Sequence, residues 1–130
     1  MEFYLKENGV RTQLEYGELD ISGNEDYGYR PFQLMIASIA GCSASVFRKI
    51  LTKKKIEIED LHITAEAERD AEHANKITKI SLHFIVKGEN LDKGKLEKSL
   101  ELAKKNCTMV QSVKGSIEVV ETLELINLSN

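Results

Sequence analysis

Residues 31–47 carry no charged side chain, and this stretch limits what the chain can become more than any other feature. Its apolar residues fall on every side of a helical projection, so the expected helix is buried all round and not amphipathic. Pro31 supplies the fixed φ of a first helical turn and sets the helix start. Small residues recur at helical spacing, with Ala37, Gly41 and Ser45 on one stripe and Ala40 and Ala44 beside it. Such a surface admits close approach of another backbone, so something large is expected to pack there. The stretch is at the short limit for a bilayer span of about 17–25 residues, and no other feature of the chain points to a membrane.

At 130 residues the chain has the usual size of one compact domain, here taken as 1–130. A hydrophobic share of 42% with 30% charged residues excludes a disordered chain. The net charge of -3, with 6% aromatic residues and no Trp, argues against nucleic acid as a partner. The opening Met1-Glu2-Phe3-Tyr4-Leu5-Lys6-Glu7 shows neither a basic start nor a cleavable apolar segment, so a cytoplasmic location is expected. Two cysteines, Cys42 and Cys107, are too few for a disulfide scaffold, which leaves buried thiols, metal ligands or redox groups.

Asn8-Gly9 between two apolar runs predicts an opening β-hairpin with a type I′ turn, and residues 19–22 a further short strand. Lys53-Lys54-Lys55 at the end of the central helix reads as an anion site or, more simply, as a complement to the helix dipole. Leu61, Ile63, Ala65 and Ala67 alternate with polar residues, as do Ile80, Leu82, Phe84 and Val86. Centring their connection between Glu72 and His73 sets Leu61 against Phe84, Ile63 against Leu82 and His62 against His83. Asp92 is placed to cap a helix whose apolar stripe is Leu96, Leu100 and Ala103, with Asn106 as terminator. An apolar turn over 109–113, Gly115 and a last strand marked by Ile117, Val119, Leu123 and Leu125 follow. Locally paired strands with helices interposed predict an α+β fold of antiparallel sheets.

For chemistry, Cys42 in an apolar helix reads as a structural thiol unless a cation or donor offsets its desolvation. Cys107, near a helix boundary, has backbone donors in reach that stabilise a thiolate. His62, His73 and His83 raise a metal reading, set against a surface reading because no short ligand spacing is present. Glu57 and Glu59, or Glu66 and Glu68, alternate on strands and read as a solvated face. Phosphate loops, nucleophile-elbow serines and metalloprotease helices are missing from the sequence.

The run Arg30-Pro31-Phe32-Gln33-Leu34-Met35-Ile36-Ala37-Ser38-Ile39-Ala40-Gly41-Cys42 resembles the signature helix of the OsmC/Ohr family, the osmotically inducible and organic hydroperoxide resistance proteins. Lys104-Lys105-Asn106-Cys107-Thr108-Met109-Val110 resembles the segment holding that family's second cysteine. The resemblance implies an intertwined homodimer, its antiparallel sheets wrapped around long central helices, with active sites at the subunit interface. It also implies reduction of organic hydroperoxides or hydrogen peroxide by Cys42 as attacking thiolate and Cys107 as resolving thiol, with a dithiol reductant and no cofactor. The family's peroxidases add an Arg from the N-terminal sheet and a Glu at the helix start. Arg11 is the arginine of the opening hairpin, with Arg30 a competitor; Phe32 stands at the Glu position, and neighbouring Gln33 hydrogen-bonds without forming an ion pair. Thr108 replaces the Pro that follows the second cysteine, which resembles a divergent branch. Two function classes follow: a thiol-dependent peroxidase, or a noncatalytic protein that binds a thiol or small ligand.

Overall fold

The computed structural model describes residues 1–128; Ser129 and Asn130, the end of the expected 1–130 domain, lie outside the described residues. The chain divides into two compact units, the first Met1–Ala37 and the second beginning at Ser38. The boundary falls within the first helix.

In the N-terminal unit, β1 (Phe3–Lys6), β2 (Gly9–Gln13) and β3 (Glu18–Ile21) form an antiparallel sheet in that order. Lys6 pairs with Gly9, so Glu7 and Asn8 make the turn, one residue earlier than expected from Asn8-Gly9. Gly9 instead enters β2 at φ +154°, where an added Cβ would collide with the carbonyl oxygen of Ile21 on β3. The glycine serves the close approach of two strands rather than the turn. Only Thr12 and Ser22 are buried in this unit, and Thr12 Oγ1 donates to the Glu2 carbonyl at 2.8 Å.

Helix α1 (Pro31–Lys53) starts at the expected proline. Beyond the unit boundary follow β4 (Asp60–Asp70), β5 (Lys76–Gly88), α2 (Lys93–Asn106), α3 (Thr108–Ser112) and β6 (Glu118–Asn127). The buried residues of α1 are Ile39, Ser43, Phe47 and Leu51, a single stripe at spacing four. Phe47 meets Phe84 of β5 edge-on, with ring centroids 5.6 Å apart. Burial on every side is not what a single chain provides, because its own strands cover one face only; Gly41 and Ser45 of the small-residue stripe are exposed. The helix is long and apolar enough to cross a membrane, with 22% of its most apolar window buried.

The second sheet has the order β4-β5-β6. Leu61 pairs with Val86, Ile63 with Phe84, Ala65 with Leu82 and Ala67 with Ile80, two residues away from the expected register. A slip of two keeps every side chain on its face, so the core pattern survives while His62 faces Ile85 and His83 faces Thr64. The connection sits later than expected: Ala74 and Asn75 turn with φ of 59° and 56°, and the ladder is irregular at Glu68/Arg69. β6 runs parallel to β5, which corrects the expectation of purely antiparallel pairing. The route through α2 and α3 is the long crossover a parallel pair requires. Asp92 caps α2 by accepting from the Lys95 N–H at 3.1 Å, and Leu96, Leu100 and Ala103 are buried, all as expected. The expected apolar turn is the helix α3. Lys54 Nζ donates to Ser99 Oγ at 3.0 Å, so part of the lysine run ties α1 to α2.

Candidate functional site

Cys42 and Cys107 meet. Cys42 is half-buried on α1, beside the inward-facing Ser43; Cys107 is fully buried and extended (φ -80°, ψ 112°) between the end of α2 and the start of α3. Ending one helix and starting another at a single residue aims the free N–H groups of the short α3 at the sulfur pair. Both cysteines are free thiols.

Their environments pull them apart. Burial pushes the Cys42 thiol up, but hydrogen bonds from the Met109 N–H, the Cys107 thiol and the Thr108 N–H, together with the charge of Lys49, outweigh it and hold Cys42 below its ordinary value. For Cys107, burial and then the neighbouring Cys42 sulfur push the thiol up against the Val110 and Met109 N–H groups, and it ends above its ordinary value. The two shifts run in opposite directions, Cys42 towards the thiolate and Cys107 towards the thiol. The sequence placed backbone donors near Cys107; that they also serve Cys42 depends on how α3 folds back.

Behind the thiols, Ser43 Oγ donates to Glu121 Oε2 of β6. Glu121 shares the core-facing side of its strand with Val119 and Leu123. Burial raises its carboxyl pKa against the opposing effects of Ser43 and Lys104, and its Oε1 is buried without a hydrogen-bond partner. No motif marks Glu121 as a site residue, although the alternation through Ile117, Val119, Leu123 and Leu125 includes position 121.

The other expected site residues lie in the N-terminal unit. Arg11 grips Asp20 with two hydrogen bonds, Nε to Oδ1 at 2.7 Å and Nη2 to Oδ2 at 3.0 Å, and its Nε lies 3.1 Å from Glu18 Oε1. Lys6 Nζ adds a contact to Asp20 Oδ2 at 3.0 Å. Arg11 first, then Lys6, holds the Asp20 carboxyl far below the usual range. Arg30 stacks over the Phe32 ring, 4.7 Å from its centroid, and Gln33 is exposed in the first turn of α1. Arg11 is thus assembled with Asp20 and Glu18, which no sequence motif marks.

Along the later turns of α1 a cavity of about 1110 Å³ is lined by Ser45, Arg48 and Lys49 with Leu102 and Asn106 of α2. His73 Nδ1 pairs with Asp70 at 2.7 Å and His83 Nδ1 with Thr122 Oγ1 at 2.6 Å. Among the described residues no group of three His, Cys, Asp or Glu side chains is suited to a metal.

This α+β arrangement, with a cysteine in the long helix and another at a helix junction, is that of a known class: residues 23–122, including both cysteines, match the OsmC-like protein family. The chain belongs to that family. It is 27% identical over 108 residues to Protein YhfA of Escherichia coli K12, covering 82% of this chain and 81% of that protein. A crystal structure of a protein from Aquifex aeolicus superposes with a TM-score of 0.87 at 23% identity, covering 98% of this chain and 96% of the other. The organic hydroperoxide resistance protein OsmC of Legionella pneumophila superposes with a TM-score of 0.74 at 21% identity, covering 95% and 93%. These structural likenesses show the fold.

Proposed function

We propose that the chain is a thiol-dependent peroxidase that reduces organic hydroperoxides or hydrogen peroxide as a cytoplasmic homodimer, each chain forming one 1–130 domain. The observation that carries this reading is the hydrogen-bonded pair Cys42 and Cys107 with oppositely shifted thiol pKa values. The Cys42 thiolate attacks a peroxide oxygen; the O–O bond breaks, Cys42 becomes a sulfenic acid, and the leaving oxygen takes a proton from solvent to depart as alcohol or water. The Cys107 thiol condenses with the sulfenic acid, forming the S–S bond and releasing water. An external dithiol then reduces the disulfide and is itself oxidised. Roles for Arg11, as a cation facing the thiolate, and for Gln33, as a hydrogen-bonding group towards peroxide, belong to the same proposal. Peroxide consumption with a dithiol, comparing an alkyl hydroperoxide with hydrogen peroxide, should be present in the native chain and lost in Cys42→Ser. Slower Cys42 alkylation in Arg11→Ala supports the Arg11 role, and an unchanged rate removes it.

The dimer draws support from α1, which buries one stripe and leaves residues such as Met35 and Gly41 exposed. An apolar face of that length suits a second copy. Light scattering at micromolar concentration should give twice the 14.7 kDa chain mass, and a stable monomer would end the dimer reading.

The noncatalytic reading also has an observation in its favour. Asp20 and Glu18 occupy Arg11, and Phe32 offers a ring where the family's peroxidases carry a carboxylate. Absence of consumption with both peroxides, while Cys42 stays reactive towards alkylating agents, selects it.

A further inference from the structure

No step of that chemistry is assigned to one charge on the helix that carries Cys42. Lys49 follows Cys42 by seven residues on the unbroken helix α1. Seven residues are about two turns, which returns Lys49 to the face that carries Cys42. Helical side chains lean towards the N-terminus, so the Lys49 chain is directed back along the face to the turn below it. Arg48, six residues on, falls roughly 120° round the helix. Lys53, although near the same face, lies about one further turn away.

α1 contains no Asp or Glu, and among the described residues no carboxylate forms a salt bridge with Lys49. Lys49 is exposed and lines the cavity shared with Ser45, Leu102 and Asn106, the last being the residue before Cys107. A cation with no salt bridge among the described residues thus lines a groove that adjoins both cysteine-bearing segments.

We propose that Lys49 is a positioning residue for Cys42: fixed two turns away on the same helix face, its charge favours the Cys42 thiolate and raises the reactivity of that sulfur. The inference goes beyond the peroxidase reading, because the charge acts on the thiolate whether or not peroxide is turned over. The groups acting on Cys42 are the Met109 and Thr108 amides, the Cys107 thiol and Lys49, and all lower its pKa against burial. The amides and Cys107 act by contact; Lys49 acts through space, which makes its share sensitive to salt.

Iodoacetamide alkylation of the full chain, with Cys42 followed by peptide mass spectrometry from pH 5.5 to 9.5, tests this in the native protein, Lys49→Met and Lys49→Arg. At low ionic strength Lys49→Met should alkylate Cys42 about threefold more slowly at pH 7, its midpoint moved up by about half a unit. Lys49→Arg should keep the native rate. The difference between the native chain and Lys49→Met should close near 1 M salt, where the screening length is about 3 Å. A native rate in Lys49→Met at low salt overturns the proposal. So does a slowing that persists in high salt or that arginine fails to rescue, since lost packing would behave in that way. Because alkylation needs no peroxide, failure here is distinct from failure of peroxide consumption.

Discussion

The two units of the chain are ordered by different means. From Ser38 onward, Ile39, Phe47, Leu51, Ile80, Leu82, Phe84, Val86 and Leu96 form an apolar core with little or no exposure. Up to Ala37 the buried side chains are two hydroxyls, Thr12 and Ser22, while Phe3, Tyr4 and Leu5 are exposed. A three-stranded sheet without a buried apolar face holds its register through backbone ladders and side-chain pairs. Here those pairs are Lys6 and Arg11 with Asp20, and Arg11 with Glu18. The two thiols sit in the unit with the packed core, where burial and fixed amides separate their pKa values. The arginine proposed to support them sits in the unit that depends on charge.

Truncation in each unit sharpens this contrast and gives the largest effect. Phe84→Ala removes a fully buried ring that packs against Phe47 and should cost about 3–5 kcal/mol in urea unfolding. Thr12→Ala, at an equally buried site of the N-terminal unit, removes one hydrogen bond to the Glu2 carbonyl and should cost about 1 kcal/mol. Equal losses would break the contrast.

The next effect is read at the thiols. A lowered pKa leaves Cys42 with more thiolate at neutral pH than a free cysteine, whereas Cys107 is raised and fully buried. Cys42 should therefore alkylate at least about tenfold faster than Cys107 at pH 7, and its rate should fall as pH drops through its folded pKa. Preferential labelling of Cys107 would reverse the roles.

Much of this architecture was legible where local chemistry decides it. Pro31, Asp92 and the alternation along 61–67 and 80–86 fixed helix starts, a cap and core faces, because each acts through its own backbone neighbourhood. What stayed hidden depended on distant chain. Gly9 is required by the carbonyl of Ile21, so its presence misplaced the turn. The direction of β6 follows from the crossover and not from its own residues, and one face of α1 finds partners within the chain. At the site, the cysteines were legible by resemblance to a family helix, while the amides around Cys42 come from residues more than sixty positions later.

A smaller effect separates Glu121, a half-buried carboxyl group, from the apolar residues beside it on β6. Glu121 has a raised pKa, first through burial, so the native state holds its proton more tightly than the unfolded chain does. Its stabilising share is complete below the ordinary Glu value of about 4.3 and is lost as pH rises through the folded pKa. Glu121→Gln keeps an acceptor for Ser43 without the charge. Relative to the native chain it should gain up to about 1 kcal/mol between pH 4 and pH 7, discounted for partial exposure of the side chain. A pH-independent difference would mean that Glu121 ionises without cost.

The smallest effect belongs to the charge cluster of the N-terminal sheet, and its sign is opposite. Arg11 and then Lys6 hold Asp20 below the ordinary carboxylate range, so the cluster's contribution is present above about pH 3.9 and is lost as pH falls through the folded value. Solvent around these side chains keeps the contribution modest and makes it weaken with salt. Amide chemical shifts of β2 and β3 should hold steady from pH 7 to 4 and move together only in stronger acid. Asp20→Asn removes the group that titrates and leaves Arg11 with Glu18, 3.1 Å from Nε. The acid-side movement should then be reduced, and the guanidinium should broaden at neutral pH as its two-point grip is lost. Identical acid profiles in the native chain and Asp20→Asn would show that the sheet is ordered without its ion cluster, and the contrast between the two units would then rest on burial alone.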